Sequence, residues 1–302
     1  MSFKKIVVIG STNTDMVVKS ERLPIPGETI LGGAFMMNQG GKGANQAIAV
    51  ARLMGEVTFI AKTGNDIFGK KTIEMFNSEN INTDFIFTDT FSPSGVAIIM
   101  VDAMGENSIV VASGANSTLS TEDIIKGKDI IENAEILLLQ LEIPMETVEF
   151  AAKMASERGV KVILNPAPAT SLSNDLLKCL YAIIPNESEA EMLSGIKVTD
   201  WESAKLAADA ISSNGVGVVV ITLGSKGALI KENERYYEIP VEKIKAVDTT
   251  AAGDTFCGAF CVGLSEGLSI EDAAIMANKA AGITITREGA QAAIPYRHEI
   301  KL

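Results

Sequence analysis

An α/β fold, with a mostly parallel central sheet flanked by helices, is predicted by three observations. From Ile136 onward, short apolar runs alternate with segments of helical spacing, the rhythm of strands joined by crossover helices. Polar residues recur where those apolar runs end, which is where α/β proteins place ligands. Glycine-containing turns open onto helical stretches at two distant places, residues 38–47 and 247–260. The 302 residues, 47% of them hydrophobic, can bury one large core, so one main domain with insertions is expected.

Composition narrows the function. A formal charge of −12 argues against nonspecific binding to nucleic acid or anionic membrane, both of which need a basic face. An anionic ligand must therefore be met by local groups. No apolar run approaches the roughly 18 residues of a membrane span. Met1-Ser2-Phe3-Lys4-Lys5-Ile6 leads straight into a strand rather than a signal sequence, so a cytoplasmic protein is expected. Cys179, Cys257 and Cys261 are too few for a disulfide framework and read as buried thiols. The single histidine, His298, excludes His-based triads and multi-histidine metal sites.

Lys5 to Ile9 reads as a central strand buried on both faces. At its end stands Ser11-Thr12-Asn13-Thr14-Asp15, short polar side chains that suit sugar-like hydroxyls and equally suit a self-satisfied loop. Gly10 does not begin G-x-G-x-x-G, so a dinucleotide fingerprint is missing. Asp15 to Val18 and Thr29 to Met37 are short strands around the turn Pro24-Ile25-Pro26-Gly27. Gly95 to Val101 and Ser108 to Ala112 form a hairpin. Together they predict one small sheet, drawn from about residues 13–37 and 94–112, that serves as a lid, a dimer surface or both.

Asn38-Gln39-Gly40-Gly41-Lys42-Gly43-Ala44-Asn45-Gln46-Ala47 reads as a turn before a helix from Ile48 to Met54. Its glycines allow close backbone approach, Lys42 supplies a cation, and Asn45 offers donor and acceptor. The spacing is not that of a Walker A loop, and such turns also occur without function. Val57 to Ala61 is a strand and Phe68 to Asn80 a helix. Then come strand Ile136 to Leu141, helix Met145 to Arg158, and strands Val160 to Leu164 and Ala182 to Ile184. Helices Glu187 to Ser194 and Trp201 to Asn214 and strand Val218 to Thr222 complete the alternation. Glu142, Asn165-Pro166-Ala167-Pro168 and Pro185-Asn186-Glu187-Ser188-Glu189 follow strand ends, and Asn186 with Glu189 fits a capping box whether or not the pair meets a metal or phosphate. The turn Thr222-Leu223-Gly224-Ser225-Lys226-Gly227 carries hydroxyls and a lysine suited to a nucleotide phosphate.

The most informative stretch runs from Val247 to Phe260. Small residues from Ala251 to Gly253 precede an apolar helix from Asp254 to Leu264, so free amides at the positive end of a helix form an anion site. Asp254 at its mouth suits a general base that takes a proton from an attacking hydroxyl. Its pKa is expected to be low there, with the proton taken late. A plain capped helix would place the same residue in the same position.

Gly40 to Ala47 and Asp248-Thr249-Thr250-Ala251-Ala252-Gly253-Asp254-Thr255-Phe256 resemble the two signatures of the PfkB (ribokinase-like) carbohydrate kinase family. Matches at Gly10 to Asp15, Gln140 to Glu142, Asn165 to Ala169, Asn186 to Glu189 and Thr222 to Gly227 extend the resemblance from Ile6 to about Pro295. It implies a three-layer ribokinase-like fold with a small β-sheet lid. The implied reaction is ATP-dependent phosphorylation of D-ribose at O5, with Mg2+ bound to ATP and homodimer contact through the lid. By the same resemblance Asp254 is the base, and the amides of Ala251, Ala252 and Gly253 are the anion hole. Asn13, Asp15, Gly41, Lys42, Asn45 and Glu142, with Asp254, match positions that hold the sugar. Asn186, Glu189, Thr222, Gly224, Gly227, Gly253 and Asn278 match the nucleotide side, with Glu189 acting on magnesium through water. An activating potassium ion is implied at Asp248 and Thr250 together with the loop containing Ile285, Glu288, Gly289 and Ala293, mostly through backbone carbonyls. Ala251 stands where many members carry glycine, which alanine replaces without cost if φ is negative. Another acceptor, deoxyribose first, and a catalytically silent regulator on the same fold are the alternatives. An intact Asp254 and anion hole count against the regulator.

Overall fold

The protein is described by a computed structural model covering residues 5–301. The reading of Met1 to Lys4 as a direct entry into the first strand therefore lies outside the described residues. The first strands are β1 (Lys5–Ile9), β2 (Asn13–Lys19) and β3 (Ala34–Gly40). Helix α1 (Lys42–Arg52), β4 (Glu56–Gly64), α2 (Ile67–Ser78) and β5 (Ile86–Asp89) follow. Next come β6 (Gly95–Val101), β7 (Asn107–Ala112), α3 (Thr121–Lys126), α4 (Lys128–Glu132) and β8 (Ile136–Leu139). The regular half contains α5 (Met145–Ser156), β9 (Lys161–Leu164), α6 (Asn174–Cys179), β10 (Ala182–Ile183), α7 (Glu187–Ser194), α8 (Trp201–Ser212) and β11 (Val218–Thr222). It ends with β12 (Ala228–Glu232), β13 (Arg235–Ile239), α9 (Ala252–Ser265) and α10 (Ile270–Thr284).

Nine strands form one sheet in the order β13-β12-β11-β10-β9-β8-β1-β4-β5, parallel from β5 to β11 and antiparallel at β12 and β13. Alternation along β1 divides the core into two layers. Ile6 and Val8 pack with residues of α1, α9 and α10, whereas Val7 and Ile9 pack with residues of α5, α6 and α8. The three-layer arrangement follows. The chain leaves β1 toward β4 on one side and pairs with β8 on the other, so the end of β1 is a topological switch point where a crevice opens.

A second sheet, in the order β3-β2-β6-β7, joins the two segments that were predicted to meet. Its first segment differs from expectation, because residues 29–33 are not strand. Gly32 and Gly33 have φ of +100° and +108°, which interrupts extended backbone before β3 begins at Ala34. The larger difference lies in α1, which begins at Lys42 instead of Ile48. The predicted glycine-rich turn is therefore mostly the first turns of a helix. Sequence patterning also passed over β5, β13 and α10. Helix α10 is capped by Ser269, whose side chain accepts from Asp272 N, a cap that the spacing Ser269-x-x-Asp272 announces.

Arg52, the last residue of α1, fastens these layers together. Its guanidinium pairs with Glu79 at 2.6 Å, donates to the carbonyls of Gln291 and Ile294 at 2.6 and 2.8 Å, and lies over the Tyr296 ring. Cys257 and Cys261 are buried free thiols, as expected, while Cys179 is half-buried. Among the described residues no helix is long and apolar enough to cross a membrane.

Candidate active site

Two glycines bring α1 against the end of β1. Gly41 caps α1 at φ +91°, and a Cβ there would lie 2.8 Å from Asn13 N. A Cβ at Gly43 would lie 2.6 Å from Ser11 N. Backbone this close starts α1 at the end of β1, so that Gly40 lies against the Asp15 carboxyl while Asn45 and Gln46 in the first turns of α1 reach Asp254 of α9.

Asp254 occupies the first turn of α9 and is 8% exposed. Asn45 Nδ2 donates to its Oδ2 at 2.9 Å, and Gln46 Nε2 donates to its Oδ1 at 3.0 Å. Gln46 is itself held by Gln140, whose Nε2 donates to Gln46 Oε1 at 2.6 Å. Burial raises the pKa of Asp254; Lys42, Asn45 and Gln46 pull it back, and Glu142 adds to the rise. The net shift is upward, which corrects the expectation of a low value. Removing the carboxylate from water outweighs the donors around it, and a base with a raised pKa holds a transferred proton more readily.

The carboxylates are concentrated. Burial foremost, then Glu142 and Asp254, push Asp15 up to about 7. Glu142 Oε2 accepts from Ser11 Oγ and from Lys42 N at 3.0 Å. For Lys42, burial opposes charge, but Asp254, Glu142 and Glu189 outweigh it and raise the ammonium above its usual value. Asn45 Oδ1 is buried without a partner, an acceptor waiting for a hydroxyl. Asn13 and Glu142 line a cavity of about 410 Å³ on this side.

A larger cavity of about 800 Å³ lies on the other side of Gly253. Six of the residues matched to the nucleotide side line it: Asn186, Thr222, Gly224, Gly227, Gly253 and Asn278. The ends of β10 and β11 meet through a bridge between Asn186 and Thr222, which puts two polar groups at one edge. Asn278 Nδ2 donates to Ile239 O at 3.3 Å. Asn186 and Glu189 form the predicted capping box of α7: Asn186 Oδ1 accepts from Glu189 N at 2.9 Å, and Glu189 Oε2 accepts from Asn186 N at 2.9 Å. Glu189 is buried and is not among the residues that line the cavity, and burial leads the causes that raise its pKa.

The loop before α9 is tied to the loop after α10. Asp248 Oδ1 accepts from Thr250 N and Oγ1 at 2.9 and 2.6 Å, and Oδ2 accepts from Gly289 N at 3.0 Å. Burial would raise Asp248, but these hydrogen bonds prevail and keep its carboxyl below the usual range. The Ile285 carbonyl accepts from Val247 N at 2.7 Å, and exposed Glu288 pairs with Lys19 of β2 at 3.6 Å. Ala293 is buried at the end of the same loop. Among the described residues no group of three or more His, Cys, Asp or Glu side chains is placed to hold a metal, so a cation here would depend on carbonyl oxygens.

Sequence reasoning did not assign roles to Gln46, Gln140 or Asn116. The first two lay inside quoted motifs, whereas Asn116, which holds Asn13 at 2.8 Å, carried no local signal. The three anion-hole amides are not alike, since Ala252 N makes a long bond of 3.3 Å to Thr249 O. Ala251 departs from expectation: its φ is +61° and ψ is 7°, the left-handed region, not a negative φ. The turn into α9 requires this, and an alanine there costs about 1–2 kcal/mol. Replacing it by glycine, Ala251→Gly, is expected to raise stability by about 1 kcal/mol after the extra freedom of unfolded glycine is subtracted. Calorimetric unfolding checks this, and a melting temperature that falls would show that the turn is not strained.

Comparisons with known proteins identify the family. The family model described as pfkB family carbohydrate kinase matches residues 4–297. A ribokinase of Staphylococcus aureus is 44% identical over 298 residues, covering 98% of each chain. A deoxyribokinase of Salmonella typhi is 36% identical, covering 96% of this chain and 95% of its own. The solved Arabidopsis thaliana ribokinase complexed with ribose and ATP is 35% identical, with a TM-score of 0.91 over 98% of this chain and 96% of its own. On a family match spanning nearly the whole chain and relatives this similar over their full length, the chain belongs to the pfkB family of carbohydrate kinases.

Proposed function

We propose that this chain transfers the γ-phosphoryl group of ATP to the 5-hydroxyl of D-ribose, giving D-ribose 5-phosphate and ADP. The observation that carries the reading is the placing of Asp254. A buried carboxylate, oriented by Asn45 and Gln46, adjoins Gly253 at the wall of the large cavity and faces Lys42 and Glu142 on the smaller side. A phosphate in the larger cavity meets the helix start at Ala252 and Gly253, and the carboxylate beside them is the base for a hydroxyl held between Asn45 and Glu142. The ribokinase names of relatives up to 44% identical support ribose, and the deoxyribokinase at 36% keeps deoxyribose as the alternative acceptor.

Asn13, Asp15, Gly41, Lys42, Asn45 and Glu142 hold the sugar in this scheme, and its hydroxyls answer the unpaired Asn45 Oδ1. Asp254 takes the proton of the attacking hydroxyl. The amides of Ala251 and Gly253, and that of Ala252 on giving up its long bond, hold the charge that develops on the phosphoryl oxygens. Lys42 adds its positive field from the sugar side. Asn186, Thr222, Gly224, Gly227 and Asn278 position the nucleotide. Magnesium carried with ATP neutralises phosphate charge. Both oxygens of Glu189 already accept from Asn186, which fits holding the ion through water and not directly. Potassium would be held by Asp248 and by carbonyls of Thr250, Ile285, Glu288, Gly289 and Ala293, stiffening the loop that leads into Ala251. The charged Asp248 carboxylate and its tie to Gly289 fit that role.

The second sheet acts as a lid on one kinase domain and as the contact of a homodimer. Support comes from the exposed apolar side chains Phe35, Met37, Ile98, Ile109, Val110 and Val111 on its strands. Sedimentation at working concentration tests the pairing, and a monomeric mass would remove it. Free thiols suit a reducing cytoplasm.

The first test is ATP consumption with ribose, deoxyribose, fructose, adenosine or no sugar, with the product located by phosphorus NMR. A 5-phosphate formed preferentially from ribose is expected; turnover confined to another acceptor would overturn the substrate assignment. Asp254→Asn is expected to lower kcat by about two or more orders of magnitude while leaving ribose and ATP binding nearly intact. Near wild-type turnover in that variant would remove Asp254 as the base. Exchanging potassium for a large organic cation is expected to reduce kcat, and equal rates in both would sink the cation site.

A further inference from the structure

Asn116 lies in the 3-10 turn Gly114–Thr118, which brings the chain from β7 back to the core, and it is 1% exposed. Its Oδ1 accepts from Thr12 N at 2.9 Å, and its Nδ2 donates to Thr12 O at 3.0 Å and to Asn13 Oδ1 at 2.8 Å. Backbone groups have fixed polarity: an N–H only donates and a C=O only accepts. The pairing with Thr12 therefore settles which end of the Asn116 amide is oxygen and which is nitrogen. The remaining N–H of Asn116 faces Asn13, where only an oxygen receives it. Asn13 Nδ2 is thereby left for the 410 Å³ cavity that both asparagines and Glu142 line. The fit is close, because a Cβ on Gly95 would fall 2.2 Å from Asn13 Oδ1 and 2.3 Å from Asn116 Nδ2.

We propose that Asn116 is a positioning residue for sugar recognition, locking the Asn13 amide so that its NH2 faces the substrate and this position donates to a sugar oxygen without accepting from one. The inference rests on the sugar-kinase reading above and deepens it. A hydroxyl bound there must direct its own proton elsewhere, to the carboxylate of Glu142 on the same cavity wall. Its orientation, and not only its presence, is then specified.

Two variants separate the idea from a structural role. Asn13→Asp keeps an oxygen for Asn116 but presents a second oxygen to the cavity. It is expected to raise the Kd and KM for ribose by about tenfold or more, with KM for ATP within about threefold of wild type. Asn116→Asp keeps the acceptor for Thr12 N but loses both donors, freeing Asn13 to turn over; a rise of about three- to tenfold for ribose alone is expected. Because Asn116 acts through Asn13, adding Asn116→Asp to Asn13→Ala is expected to cause no further loss of ribose affinity. Unchanged ribose affinity in Asn13→Asp, multiplicative losses in the double variant, or equal rises for ribose and ATP would each overturn the proposal. Should Asn116→Asp fail to fold, Asn13→Asp decides alone. Calorimetric titration of wild type with the sugar panel separates the two readings. Binding of another sugar in place of ribose removes the ribose assignment, and the same cycle is then run with that sugar. Binding of none overturns both.

Discussion

A carboxylate buried at the start of α9 has to be compensated, and much of the polar architecture of the cleft follows from that requirement. Asp254 is 8% exposed, so Asn45 and Gln46 supply two donors and Lys42 supplies charge in place of bulk solvent. Gln46 is in turn held by Gln140 and donates to Asn165 at 3.2 Å, so the ends of β8 and β9 help to orient a group on a distant helix. Three carboxylates, Asp15, Glu142 and Asp254, share one lysine. Such a cluster relieves repulsion by favouring protonation of its members, and burial with like charge raises both Asp15, to about 7, and Asp254.

Much of this was legible in the sequence wherever a local rule had one physical outcome. The apolar runs at Lys5–Ile9 and Val218–Thr222 are strands within the predicted bounds because nothing polar interrupts them. The spacing of Asn186 and Glu189 gave the capping box because only one backbone geometry satisfies both reciprocal bonds. The pairing of residues 13–37 with 94–112 followed from short strands that interrupt the strand-helix rhythm at both places and so belong together outside the main sheet.

The readings that changed depended on tertiary surroundings. Glycine at 41 and 43 reads locally as a turn, yet helix α1 starts there because packing against β1 admits no side chain. The pKa of Asp254 depends on how much water its neighbours exclude, which spacing does not record. The φ of Ala251 is imposed by the path from Asp248 into α9, against the residue's own preference. Asn116 acts 103 residues away from Asn13, and no local pattern marks it.

The second sheet is sewn from two stretches of chain. β2 pairs in parallel with β6 from Asn13↔Gly95 to Lys19↔Val101, with α1, β4, α2 and β5 in between. Such a pairing is non-local, and its loop-closure entropy is offset only once the intervening strands and helices are in place. During folding, β2 and β6 are therefore unpaired edges with apolar side chains such as Ile98 and Val111 nearby, the kind of surface on which chains associate wrongly. Closing that seam also brings Asn116, just beyond β7, onto Asn13 at the start of β2, so the register of the small sheet and the orientation of the Asn13 amide are fixed by one and the same chain pairing.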